Sequence, residues 1–136
     1  MSRSIEFPLS RRWTAYGPLI EPRVLAQVRT VAGYRGRYFL IDTGADVSVA
    51  PRTLAERVGL DWNRLPVALA SGIGRGHVTT RLGALPLQLG EIELTVRCLF
   101  LDRFDAPYIL GCADVFDRFA VTIDAGQRKI ILTEIN

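Results

Sequence analysis

Histidine, lysine and methionine occur once each in this chain, and cysteine twice. Each scarcity excludes something. Cys98 and Cys112 lack C-x-x-C spacing, and the single His77 cannot complete a metal site with them. Neither a metal centre nor a disulfide framework is therefore expected, and both cysteines read as buried free thiols. No stretch approaches the roughly 18 to 20 apolar residues of a membrane span. The opening Met1–Pro8 lacks the apolar core of a secretory signal, so a soluble cytoplasmic protein is the expectation. Charge of one sign is not concentrated either. The net charge is +3, and the basic residues, sixteen of seventeen of them Arg, are scattered along the chain. A nucleic-acid partner is not expected from that pattern.

What is present is apolar and punctuated. The 136 residues are 49% hydrophobic, enough for one domain over 1–136 that buries roughly two-thirds of its unfolded surface. Residues 1–20, with Pro8, Gly17 and Pro18, read as an N-terminal arm or short edge strand with loops. Runs 23–31 and 34–41 read as a hairpin turned at Gly33. Val47–Ala50 is a short strand, and Pro51 starts a helix that Gly59 stops. Segments 65–70, 77–82, 85–89 and 91–101 read as strands, and 108–111 as a short buried one. Residues 113–119 fit two turns of helix, and 121–124 with 129–135 close the chain as a hairpin. Many short strands with two short helices predict an all-β, barrel-like domain.

Three places carry chemistry. At Leu40-Ile41-Asp42-Thr43-Gly44-Ala45 an apolar strand delivers one carboxylate to a tight turn. A carboxylate there is costly unless it is hydrogen-bonded, paired or used. A hydroxyl and approachable backbone N–H groups beside it suit a carboxylate that must be held still. The second place is Gly72-Ile73-Gly74-Arg75-Gly76. A phosphate loop would need a helix after it, whereas His77–Thr80 is strand-like, so no nucleotide cofactor is implied. A glycine-rich hairpin tip able to bring its backbone close to a ligand fits better. The third is Tyr108-Ile109-Leu110-Gly111, a short apolar strand ending in glycine.

Together these resemble the retropepsins, the single-domain aspartic peptidases of retroviral type. The match extends from Asp42-Thr43-Gly44-Ala45 through Ser48, and includes the glycine tip and the Leu110-Gly111 strand in the same order. The resemblance implies a retropepsin-like acid-protease barrel that functions as a C2 homodimer. It implies endopeptidase activity on an extended peptide or protein substrate, with no cofactor. Asp42 would supply half of a water-activating dyad. Thr43 would bond across the dimer axis, and Gly44 would contact substrate backbone. Ala45 and Asp46 would line the nearest subsites, and Gly72, Ile73 and Gly74 would form a flap over the peptide. Ser48, Leu110 and Gly111 would have structural roles beneath the turn. One departure stands out: Cys112 occupies the position where the family often carries Arg to pair with the carboxylate matching Asp46. That leaves the partner of Asp46 open, with Arg118, or an Arg of the N-terminal arm from either chain, as the candidate substitutes. The alternative reading is a non-catalytic module of the same fold that binds peptides or dimerises.

Overall fold

The computed structural model describes residues 2–68 and 78–136. Six strands close a barrel: β4 (Arg23–Thr30), β5 (Gly33–Ile41), β6 (Ser48–Pro51), β7 (Thr80–Leu89), β8 (Ile92–Leu101) and β9 (Ile109–Leu110). Around the barrel the order is β4-β5-β9-β6-β8-β7. Alternation selects what faces inward. Val24, Ala26 and Val28 of β4 are buried, as are Phe39 and Ile41 of β5, Leu85, Leu87 and Leu89 of β7, and Ile92, Leu94, Val96, Cys98 and Phe100 of β8. Each fully buried Phe or Leu contributes about 1.5–3 kcal/mol, which ties every barrel strand to one core.

Helix α1 (Arg52–Val58) covers the core with Leu54 and Ala55. It begins after Pro51 and ends at Gly59, whose φ of 93° is left-handed and whose N–H bonds back to the last turn, as glycine at a helix end allows. A single 3-10 turn, Trp62–Arg64, follows, capped by the Asp61 side chain on the N–H of Asn63. Beyond it the strand expected over 65–70 is reduced, within the described residues, to one bridge between Val67 and Arg81. Segments 77–82 and 85–89 merge into the single strand β7 from Thr80 onward.

The termini form a second sheet. β1 (Ser4–Pro8) pairs antiparallel with β11 (Lys129–Glu134), which pairs with β10 (Phe119–Asp124). Phe7, Phe119, Ile130 and Leu132 join the core from it. The arm expected over 1–20 is thus built of strands, because β1 gains β11 as a partner. Its remainder, β2 (Ser10–Thr14) and β3 (Gly17–Glu21), is a hairpin that pairs with no other strand among the described residues.

The helix expected over 113–119 does not form. Asp114 adopts a left-handed φ of 67°, which no helix interior accepts. Its carboxylate is tied to Arg97 of β8, accepting from the backbone N–H at 2.8 Å and from the guanidinium at 3.0 and 3.3 Å. A cross-chain bond outside the reach of local periodicity therefore overrides the helical pattern. No helix among the described residues is long and apolar enough to cross a membrane.

Candidate active site

β9 is wedged between the strand that delivers Asp42 and the strand that leaves it. It runs parallel to β5 (Leu40 opposite Ile109, Ile41 opposite Leu110) and antiparallel to β6 (Val49 opposite Ile109). The N–H of Asp42 donates to the carbonyl of Leu110 at 3.0 Å, and that of Ile41 to the carbonyl of Pro22 at 2.8 Å. Both flanks of the turn are therefore held before the carboxylate emerges.

Below the turn two backbones cross at very short range. A Cβ on Gly111 would stand 2.3 Å from the Val47 carbonyl oxygen and 2.7 Å from that of Ala45. Only glycine fits such an approach between backbones. The Gly111 N–H donates to the Ser48 hydroxyl at 3.2 Å, and Ser48 is fully buried. The N–H of Cys112 donates to Ala45 O at 2.8 Å, and that of Ala113 to Asp46 O at 2.9 Å. The loop 42–47 is thus fastened along its length to the chain after β9.

Within the loop the N–H of Gly44 donates to Oδ1 of Asp42 at 2.8 Å. A backbone N–H fixes a carboxylate without adding a charge that would neutralise it. Asp42 is half-buried, Thr43 and Gly44 are exposed, and the Thr43 hydroxyl has no hydrogen bond among the described residues. Asp42 and Thr43 open onto a cavity of about 450 Å³ walled by Pro22, Ile41, Phe116, Val121 and Ile123. The carboxylate therefore stands at the rim of an apolar hollow, oriented by one N–H and, among the described residues, without an ion-pair partner.

Asp46 is exposed and makes no ion pair among the described residues. Candidate substitutes are engaged elsewhere: Arg118 and Arg3 both meet Glu134, at 3.6 and 3.0 Å, and Arg12 meets Glu21 at 2.7 Å. Among the described residues of one chain, no Arg pairs with Asp46 in its place. The two cysteines are free, but only Cys98 is buried, and burial pushes its thiol well above the usual range. Cys112 is half-buried, because its thiol turns toward the loop and donates to Thr43 O at 3.3 Å. The flap residues Gly72, Ile73 and Gly74 lie outside the described residues.

Sequence reasoning missed the Asp114–Arg97 clamp, the Pro22 carbonyl and the apolar wall from Phe116, Val121 and Ile123. Asp directly after a Cys-Ala step is a possible left-handed residue, which could have signalled the clamp. No local pattern points to Pro22, which holds the strand through its carbonyl and walls the cavity.

Comparison with known proteins places this geometry. The family described as "gag-polyprotein putative aspartyl protease" matches residues 29–116, which include β5, the Asp42 turn and β9. The chain belongs to this family. A curated relative, DNA damage-inducible protein 1 of Yarrowia lipolytica, is 27% identical over 97 residues, or 69% of the chain. The chain spans about a quarter of that relative's length, the match covering 24% of it. Among solved structures, a retropepsin-like aspartic protease from Rickettsia conorii superposes with a TM-score of 0.65 at 19% identity, covering 98% of this chain and 94% of that one. The retroviral protease-like domain of Ddi1 from Leishmania major gives 0.59 at 17% identity, covering 85% and 94%. EIAV protease, solved with the inhibitor HBY-793, gives 0.50 at 23% identity, covering 67% and 81%. The fold of this aspartyl protease family member is therefore retropepsin-like.

Proposed function

We propose that this protein is an aspartic endopeptidase whose active unit is a C2 homodimer, with Asp42 of each copy facing the other across the axis. The observation that carries this reading is a single carboxylate, held by the Gly44 N–H at 2.8 Å, at the rim of an open apolar cavity. Peptide hydrolysis by this class needs two carboxylates that share one proton. Like charges in contact cannot both ionise, so one accepts a proton from the attacking water while the other donates to the scissile carbonyl, as is general for aspartic proteases. The pair titrates as a unit. Only one Asp-Thr-Gly exists in the chain, so the second carboxylate comes from a second copy.

The surroundings suit that assembly. Thr43 is exposed beside the carboxylate with a free hydroxyl, as a cross-axis bond requires. Ile123, on the outer strand of the terminal sheet, is 46% exposed next to the Asp42 cavity. An extended peptide would lie over Gly44, Ala45 and Asp46 beneath the segment 72–74, bound largely through its main chain.

Cleavage of an unstructured protein at mildly acidic pH tests the reading. Asp42→Asn should lose activity by at least about a hundredfold and keep the dimer mass of about 30 kDa, twice the 15.1 kDa chain. Equal cleavage by the variant would sink the proposal. That Asp46 makes no ion pair among the described residues favours the second reading, a peptide-binding module without catalysis. That reading predicts that wild type and Asp42→Asn bind peptides alike and that neither cleaves them.

A further inference from the structure

The β2–β3 hairpin is amphipathic, and its apolar face is uncovered. Its ladder sets Trp13 opposite Pro18 and Arg11 opposite Ile20, while Arg12 faces Leu19 and Ser10 faces Glu21. Side chains alternate across a ladder, so Trp13, Pro18 and Ile20 share one face with Arg11. The other face carries the ion pair of Arg12 with Glu21 at 2.7 Å, extended to Arg23 at 3.5 Å. Trp13 is 79% exposed and Ile20 38%, in a sheet of two strands with no third among the described residues. Such a hairpin is marginal in water by itself.

Its roots say where it stands. On one side the N–H of Leu9 donates to Arg128 O at 3.0 Å; on the other, Pro22 O accepts from Ile41. Pro22 also walls the cavity onto which Asp42 and Thr43 open. The hairpin therefore grows from the edge of the face that the homodimer reading assigns to the second copy. Five-residue strands reach about 17 Å, enough to leave the parent barrel and lie on a neighbour. The hairpin also falls outside the residues 29–116 matched by the family.

The geometry points to the β2–β3 hairpin as a dimer clasp that lays its Trp13–Pro18–Ile20 face on the second copy of this chain, reciprocally about the two-fold axis. This inference rests on the homodimer reading. In a C2 pair each hairpin covers the same patch on the other protomer, so two buried tryptophans would contribute per dimer. Buried Trp is a common anchor in such interfaces.

The test is sedimentation equilibrium of the full chain as wild type, as Trp13→Ser/Ile20→Ser, and as Leu19→Ser on the opposite face. The double variant should raise the dimer dissociation constant by at least about tenfold. Leu19→Ser should change it by less than about threefold. An unchanged dissociation constant in the double variant overturns the clasp while leaving the dimer standing. That holds equally if its KM for peptide rises, which would put the hairpin on substrate instead. Equal weakening by Leu19→Ser overturns the assignment of the face. A wild-type chain that stays near 15 kDa overturns the homodimer reading, and the clasp with it.

Discussion

The crossing under the Asp42 turn and the β2–β3 hairpin both adjoin Pro22, which follows β3 and accepts from the Ile41 N–H, yet they are built on opposite terms. At the crossing loop 42–47 is bonded to its own chain through the N–H of Asp42 and the carbonyls of Ala45 and Asp46, and a Cβ on Gly111 would collide with the Val47 carbonyl. In the hairpin no ladder bond to another described strand is made, and its largest side chain, Trp13, stands in solvent. A region satisfied by its own chain sets the position of a reactive group. A region left unsatisfied is made for something the chain does not contain. The Asp42 carboxylate belongs to both: its backbone is locked, and its open side faces outward.

The contrast can be broken most forcefully at Gly111. Gly111→Ala forces a Cβ against backbone that cannot yield, so a loss of at least about 3 kcal/mol is expected in denaturant unfolding. A loss under about 1 kcal/mol would mean that the crossing is softer than its distances imply. Ser48→Ala leaves the buried Gly111 N–H without an acceptor and should cost about 1–3 kcal/mol. It should also lower activity per folded molecule, since the hydroxyl helps seat the loop.

Arg97→Met is expected to act more weakly, and with a definite pH dependence. The hydrogen bond from the Arg97 side chain, aided by its backbone N–H, holds the Asp114 carboxyl below its ordinary 3.8. A depressed folded value stabilises the native state above 3.8 and is lost as pH falls through the folded value below it. The difference between wild type and variant should therefore persist at mildly acidic pH and vanish only below about pH 4. A gap that widens on acidification would contradict the clamp. Smallest of all, Trp13→Ser/Ile20→Ser should change monomer stability by less than about 0.5 kcal/mol, read by urea unfolding at dilutions where the dimer dissociates. A larger loss would show that the hairpin face is packed within its own chain.

Much of this was legible in residue order. The apolar run ending in Asp42-Thr43-Gly44, the Pro51–Gly59 helix and the Leu110-Gly111 strand depend on local signals that sit side by side in sequence. The barrel followed from many short strands set off by turn signals, among them the β-branched run 23–31 and the alternating 91–101. What escaped depended on partners far along the chain. Residues 113–119 have helical spacing, but Asp114 is captured by Arg97, seventeen positions earlier. The first strand could not be told from a loose arm until Phe7 met Ile130. The partner of Asp46 was open in the sequence, and two of the candidates, Arg118 and Arg3, meet Glu134 instead.

The central claim is that Asp42 works only when paired with Asp42 of another copy. Its most direct test is to titrate a fixed amount of wild-type chain with a large excess of Asp42→Asn, under conditions that allow subunits to exchange, while following peptide cleavage. The account predicts that cleavage falls steeply as wild-type subunits are drawn into mixed dimers with one carboxylate. Cleavage that stays constant whatever the excess, with exchange verified by mass, would show that one chain suffices and would contradict it.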